Sequence, residues 1–115
     1  MQHLVFVYGT LRKGESNHHY LMNSQLLGEF LTPPQYTLYD LGAYPALIEG
    51  KKSVLGEVYL IDDPILCQLD ELEDVPVEYR RESLETSFGR AWIYLYQNTY
   101  NLSDEITTGD WCKRT

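Results

Sequence analysis

The chain of 115 residues contains only two cysteines, Cys67 and Cys112. Two thiols are too few for a disulfide framework or a structural zinc set, so they read as free thiols of a reducing, cytoplasmic setting. Basic residues are also scarce, with 9 Lys and Arg against 17 Asp and Glu and a formal net charge of −8. Such a chain repels phosphate backbones, which argues against nucleic acid as a partner. No apolar run approaches the ~20 residues of a membrane span. The opening, MQHLVFVYG, has no basic segment, and its apolar run Leu4–Val7 is short, so neither a signal peptide nor a membrane contact is expected. The patterns GxxxxGK[ST], GxSxG and HExxH are all missing. His18 and His19 are neighbours that would diverge by about 100° on a helix, and His3 is far away in sequence, so no metal site is expected. A Cys–His pair using Cys112 has nothing local to activate it. Neither repeats nor linkers interrupt the chain, and residues 1–115 are expected to form a single domain.

Hydrophobic residues make up 43% of the chain, and ten of its residues are tyrosines, a composition suited to strands with half-buried aromatic faces. His3–Tyr8 reads as a buried strand ended by Gly9. Asn17–Gly28 reads as a short helix with Asn17 as its N-cap. Gln35–Gly42 and Ala43–Gly50 read as extended pieces after the rigid Thr32–Pro34 connector. Ser53–Ile61 alternates as a strand, with Gly56 marking a bulge or a close backbone approach. Glu78–Ser87 and Gly89–Gln97 read as a hairpin turning at Phe88–Gly89. The tail is polar with one aromatic anchor, Trp111. Strands dominate around one strong helix, so the expected class is α+β, with a small mixed β-barrel or a strongly curved sheet and a few flanking helices.

That helix begins near Asp63, a suitable N-cap, with Pro64 at its first position. Its end, LDELEDVP, places four acids within five positions, Asp70 to Asp74. At about 100° per residue, Ile65, Leu66, Leu69 and Leu72 form one apolar stripe, while Glu71 faces water and Asp70 and Asp74 flank the stripe. Glu73 falls inside it, since 66, 69 and 73 are i, i+3 and i+7. Partial burial and the helix dipole should both raise its pKa, which suits a general base. An ion pair with Arg80 or Arg81, or fraying of the last turn, would account for Glu73 without chemistry. After the first strand, Gly9 allows an unusual φ and leaves room for a ligand. The amides of Gly9, Thr10 and Leu11 could then converge as an anion-binding nest, or the segment could be an ordinary strand-ending turn.

These pieces, in this order, resemble the γ-glutamylcyclotransferase-like family. Tyr8-Gly9-Thr10-Leu11 followed by Gly14 and Asn17-His18 is similar to its opening signature, GAYPAL (Gly42–Leu47) to its second motif, and VLGEVY (Val54–Tyr59) to the strand before its catalytic helix. LDELE with Pro76, Tyr79 and Arg81 resembles the segment carrying the family's catalytic glutamate, which maps onto Glu73, and Gly109–Trp111 resembles its C-terminal tag. The short length resembles the small γ-glutamylamine cyclotransferase branch. Two positions depart from the pattern: Thr10 stands where many relatives have Ser, and Asp74 where many have Gly.

The resemblance implies a cofactor-independent enzyme that cyclises the glutamyl part of a γ-glutamyl amide to 5-oxoproline and releases an amine. It assigns the base to Glu73 and the substrate-binding pocket to the amides of Gly9, Thr10 and Leu11, with Tyr8 packing beneath them. Tyr44 and Tyr79 would be walls of the pocket, or simply barrel packing. A small-molecule substrate is the expected partner, and the chain is expected to be a monomer. A non-catalytic small-ligand-binding or interaction module on the same fold is the alternative.

Overall fold

The computed structural model describes residues 1–114. Five strands form one sheet in the order β2-β5-β1-β7-β6: β1 (Gln2–Val7), β2 (Gln25–Leu31), β5 (Leu55–Asp62), β6 (Tyr79–Thr86) and β7 (Gly89–Tyr96). All neighbours are antiparallel except β1 and β7, which run parallel at Val5↔Trp92. A separate hairpin, β3 (Tyr36–Asp40) with β4 (Pro45–Glu49), packs across the sheet against β7. The single α-helix among the described residues, α1 (Asp63–Leu72), follows β5 directly. The fold is α+β as expected, but the sheet does not close: β2 and β6 are its free edges, so it is strongly curved rather than a barrel.

The centre of the sheet is buried on both faces. Along β1, Val5 and Val7 point to one side and Phe6 to the other, the period-two alternation of a strand, and all three are buried. One core joins Phe6 and Tyr8 to Leu38 and Leu47 of the hairpin and to Trp111 of the tail. The other joins Val5, Val7 and Leu11 to Leu66 and Leu69 of α1 and to Tyr79 and Tyr94. The tail is therefore part of the core, not a polar appendage.

Local readings fail at three places, and at a fourth the structure chooses between two alternatives. Asn17–Gly28 is not a helix: His18–Leu21 is a single 3-10 turn, and the chain then extends into β2. β2 supplies the edge partner of β5, and the bulge between Leu26 and Gly28 interrupts the periodicity that would have marked it as a strand. Asn17 caps nothing with its side chain. The helix N-cap is Asp62, one residue earlier than expected, its carboxylate accepting from the Ile65 N–H at 3.1 Å. The hairpin turn shifts likewise, to Ser87–Phe88 between the paired Thr86 and Gly89. Gly56 sits in unbroken pairing with Phe30. It is there for close approach, since a Cβ would lie 2.3 Å from the Val7 carbonyl oxygen and 2.6 Å from the Phe6 ring.

Candidate active site

The segment after β1 is held by its backbone. Arg12 N–H donates to the Gly9 carbonyl at 3.0 Å, Asn17 N–H to the Thr10 carbonyl at 2.8 Å, and the His18 ring bonds the Leu11 carbonyl at 3.0 Å. The carbonyls are thus taken, whereas among the described residues no acceptor takes the N–H of Gly9, Thr10 or Leu11. Gly9 and Leu11 are buried, and buried backbone donors are seldom left unpaired. Free N–H groups side by side are what an anion-binding nest requires. Gly9 is not in the left-handed region. Its lack of a side chain matters because a Cβ would meet Pro45 Cγ at 2.5 Å and Cδ at 2.8 Å. Gly9→Ala must push the loop off the Pro45 ring. The expected cost is about 1–3 kcal/mol, read as a lower urea midpoint at constant m-value; an unchanged midpoint would show that the loop yields freely.

Opposite this loop stands the end of α1. Leu66 and Leu69 are buried and Glu73, in their phase, is half-buried. The helix stops at Leu72, with Glu73 as its C-cap. Arg80 and Arg81, the two arginines weighed as partners of Glu73, are engaged elsewhere. Arg81 bonds Asp70 at 3.2 Å and lies over the Trp92 ring at 4.4 Å, and Arg80 bonds Glu82 at 2.5 Å and approaches Glu49 at 3.6 Å. Among the described residues no cation pairs with the Glu73 carboxylate. Burial, and secondarily the charge of Glu78, push its pKa up to about 7. Its neighbour Asp74 is exposed and is not among the causes. Asp74 instead takes φ +51°, the left-handed region that glycine occupies without strain and aspartate better than most other residues. That accounts for the departure from the family's Gly without involving the carboxylate in chemistry.

The seven residues singled out in the sequence, Tyr8, Gly9, Thr10, Leu11, Tyr44, Glu73 and Tyr79, all line one cleft, with about 340 Å³ of empty space including its mouth. Phe6, Val7, Pro45 and Tyr94 complete its wall. A second lobe of about 280 Å³ adjoins it, lined by Asn17, Leu72 and Glu78 and sharing Thr10, Tyr44, Glu73 and Tyr79 with the first. The tyrosine hydroxyls donate to protein acceptors: Tyr8 to the Tyr94 carbonyl at 2.6 Å, Tyr79 to the Pro45 carbonyl at 2.6 Å, and Tyr44 to Glu78 at 2.6 Å. These three hydroxyls are thus engaged within the protein. Larger depressions lie at the β1–β7 end, about 620 Å³, and beside the tail, about 670 Å³. Neither joins an amide nest to a half-buried acid.

Sequence reasoning missed Tyr94, Pro45, Asn17 and Glu78. Tyr94 bonds Asp70 at 2.8 Å, and Asp70, which read as a solvated flank, thereby ties the helix to β7 three residues before Glu73. For Tyr94 the signal was the unbroken apolar run in β7, Ala91–Tyr96, which marks a strand buried on both faces; Asn17 and Pro45 lay within the short motifs, and Glu78 carried none.

A strongly curved mixed sheet with a helix-borne acid facing an amide loop defines a class of small cleft proteins, and comparison places the chain within one. The model of the family "Gamma-glutamyl cyclotransferase, AIG2-like" matches residues 5–113. A Vibrio cholerae protein described as "Putative gamma-glutamylcyclotransferase" is 69% identical over 114 residues, covering 99% of each chain. The solution structure of ytfP from Escherichia coli superposes with a TM-score of 0.79 at 43% identity, covering 96% of this chain and 97% of that one. The crystal structure of the uncharacterized protein PH0828 from Pyrococcus horikoshii superposes with a TM-score of 0.85 at 32% identity, covering 95% and 89%. The chain belongs to the γ-glutamyl cyclotransferase, AIG2-like family.

Proposed function

We propose that the protein is a γ-glutamyl amide cyclotransferase that releases an amine and 5-oxoproline without a cofactor. The observation that carries this reading is a half-buried glutamate, its pKa near 7, that has no cationic partner among the described residues and faces a loop of amides likewise unpaired among them across one cleft. A carboxylate so tuned can accept and return a proton near neutral pH. Glu73 takes a proton from the substrate's α-ammonium. The freed nitrogen adds to the γ-carbonyl carbon, and the C=O pair moves onto oxygen. The oxyanion then collapses, the bond to the leaving nitrogen breaks, and Glu73 moves two protons in turn from the attacking to the leaving nitrogen. The amides of Gly9, Thr10 and Leu11 hold the α-carboxylate and the developing oxyanion. The tyrosine walls fold the glutamyl chain into an attack conformer. The inner lobe would take the glutamyl part and the outer lobe the amine.

The test is 5-oxoproline release across a panel of γ-glutamyl amides, with kcat/KM followed against pH. Turnover should rise through about pH 7 as Glu73 becomes a base and level off above it. A ligand-induced thermal shift with no release from any amide would instead favour the non-catalytic binding module. We also expect a cytoplasmic monomer.

A further inference from the structure

Thr10 and Glu73 are the polar side chains that line both lobes of the cleft without a wall-building bond of the kind Tyr44 and Tyr79 make. If the glutamyl group fills one lobe and the amine the other, the scissile amide lies at their junction, against these two side chains. The Thr10 hydroxyl has one proton to give and two lone pairs. The Asn17 side-chain N–H donates to Thr10 Oγ1 at 2.9 Å, and the Asn17 backbone N–H donates to the Thr10 carbonyl at 2.8 Å. Asn17 thus grips Thr10 at two points and occupies a lone pair of its hydroxyl oxygen. Among the described residues the hydroxyl proton has no acceptor of its own. Thr10 lines both lobes, so the cleft is where an acceptor for that proton would sit.

We infer that the Thr10 hydroxyl is a hydrogen-bond donor to the γ-carbonyl oxygen in the transition state, and that Asn17 is the positioning residue that fixes its proton toward substrate. This rests on the cyclotransferase reading and adds a side-chain donor, with its own orienting partner, to the backbone amides. It also gives a reason for a hydroxyl at position 10, where the amides alone would accept any small residue. Because the oxygen gains charge only as the bond forms, the donor should act on kcat more than on KM. A hydroxyl that merely anchored the α-carboxylate would act on KM.

The experiment compares the wild type with Thr10→Ser, Thr10→Val, Asn17→Asp and the Thr10→Val/Asn17→Asp double variant, measuring kcat and KM for one turned-over amide at the plateau of each pH profile. Thermal midpoints report folding. Asn17→Asp keeps shape but can only accept, so it should turn the Thr10 proton away from the cleft. Thr10→Val should lower kcat by about 10²-fold with KM little changed. Asn17→Asp should fall nearly as far although Thr10 is intact, Thr10→Ser should keep most activity, and the double variant should be no worse than Thr10→Val. Full kcat in Thr10→Val, a loss confined to KM, or losses that multiply in the double variant would overturn the inference while leaving the cyclotransferase reading standing. A wild type that releases 5-oxoproline from no amide would overturn both.

Discussion

Replacing Glu73 by glutamine is expected to abolish turnover and make the protein more stable above neutral pH. As the proposed proton shuttle, Glu73 should account for about 10²–10⁴-fold in rate. Its effect on stability follows from linkage. In the fold its pKa is about 7, against an ordinary value of 4.5. Between those values the unfolded chain has already lost the proton that the folded chain still holds, so stability falls as pH rises across that window. Above pH 7 the full deficit remains, about 3 kcal/mol at 1.36 kcal/mol per pKa unit. Glutamine keeps the shape without the charge. At pH 8 it should raise the thermal midpoint by roughly 10 °C for a chain of this size, while near pH 4 the two proteins should melt together. Calorimetry at both pH values alongside the release assay reads both effects. Equal midpoints at pH 8 would mean the carboxylate is better solvated than its place in the cleft implies. Equal turnover would remove Glu73 from the mechanism. Stability given up at one residue in return for a tuned base is a common feature of active sites.

The second large effect is expected at Arg12, which is buried with Glu57 and Asp110. Its guanidinium bonds Glu57 at 3.2 Å and Asp110 at 2.6 Å. One cation between two carboxylates is tolerable because other donors share the load. The Lys13 N–H and the Tyr59 hydroxyl donate to Glu57 at 3.0 and 2.9 Å, and the Cys112 N–H to Asp110 at 2.9 Å. Arg12→Met leaves two buried carboxylates without a countercharge. Breaking such a cluster costs about 3–5 kcal/mol, a drop of roughly 10–20 °C in thermal midpoint. Adding Glu57→Gln and Asp110→Asn should recover most of the loss, since neutral groups need no counterion. A midpoint within a degree or two of wild type for Arg12→Met would show that the cluster contributes nothing net. Arg12 directly follows the amide loop, and Asp110 lies in the C-terminal tag, so this cluster ties the tag to the loop. Gly109, at φ +69° with a would-be Cβ 2.4 Å from the Ser53 carbonyl oxygen, lets the tag approach that closely. Trp111, fully buried, bonds Glu15 at 2.9 Å on the same loop.

Local sequence was sufficient wherever chemistry and periodicity act within a few residues. The phase of Glu73 against Leu66 and Leu69 follows from helix geometry. The strand character of β1 and β5 follows from β-branched and aromatic runs, and the loop from Gly9 and Gly14. Those features, with the order of the short motifs, made the fold class and the seven cleft residues legible before any contact was known. Only tertiary structure decided the rest, because each remaining point depends on partners far apart in the chain. Whether Arg80 or Arg81 would neutralise Glu73 was settled by Asp70, Trp92, Glu82 and Glu49 taking both arginines. Asn17–Gly28 left its helical reading because β5 needed an edge partner. The sheet stayed open because β2 and β6 do not meet. The reason for Gly9 is the Pro45 ring, 36 positions away, and the polar tail became core because Asp110 and Trp111 find Arg12 and Glu15 across nearly the whole chain. A carboxylate's orientation can be read from the helix that carries it, but its pKa depends on which distant charges and walls the fold brings to it.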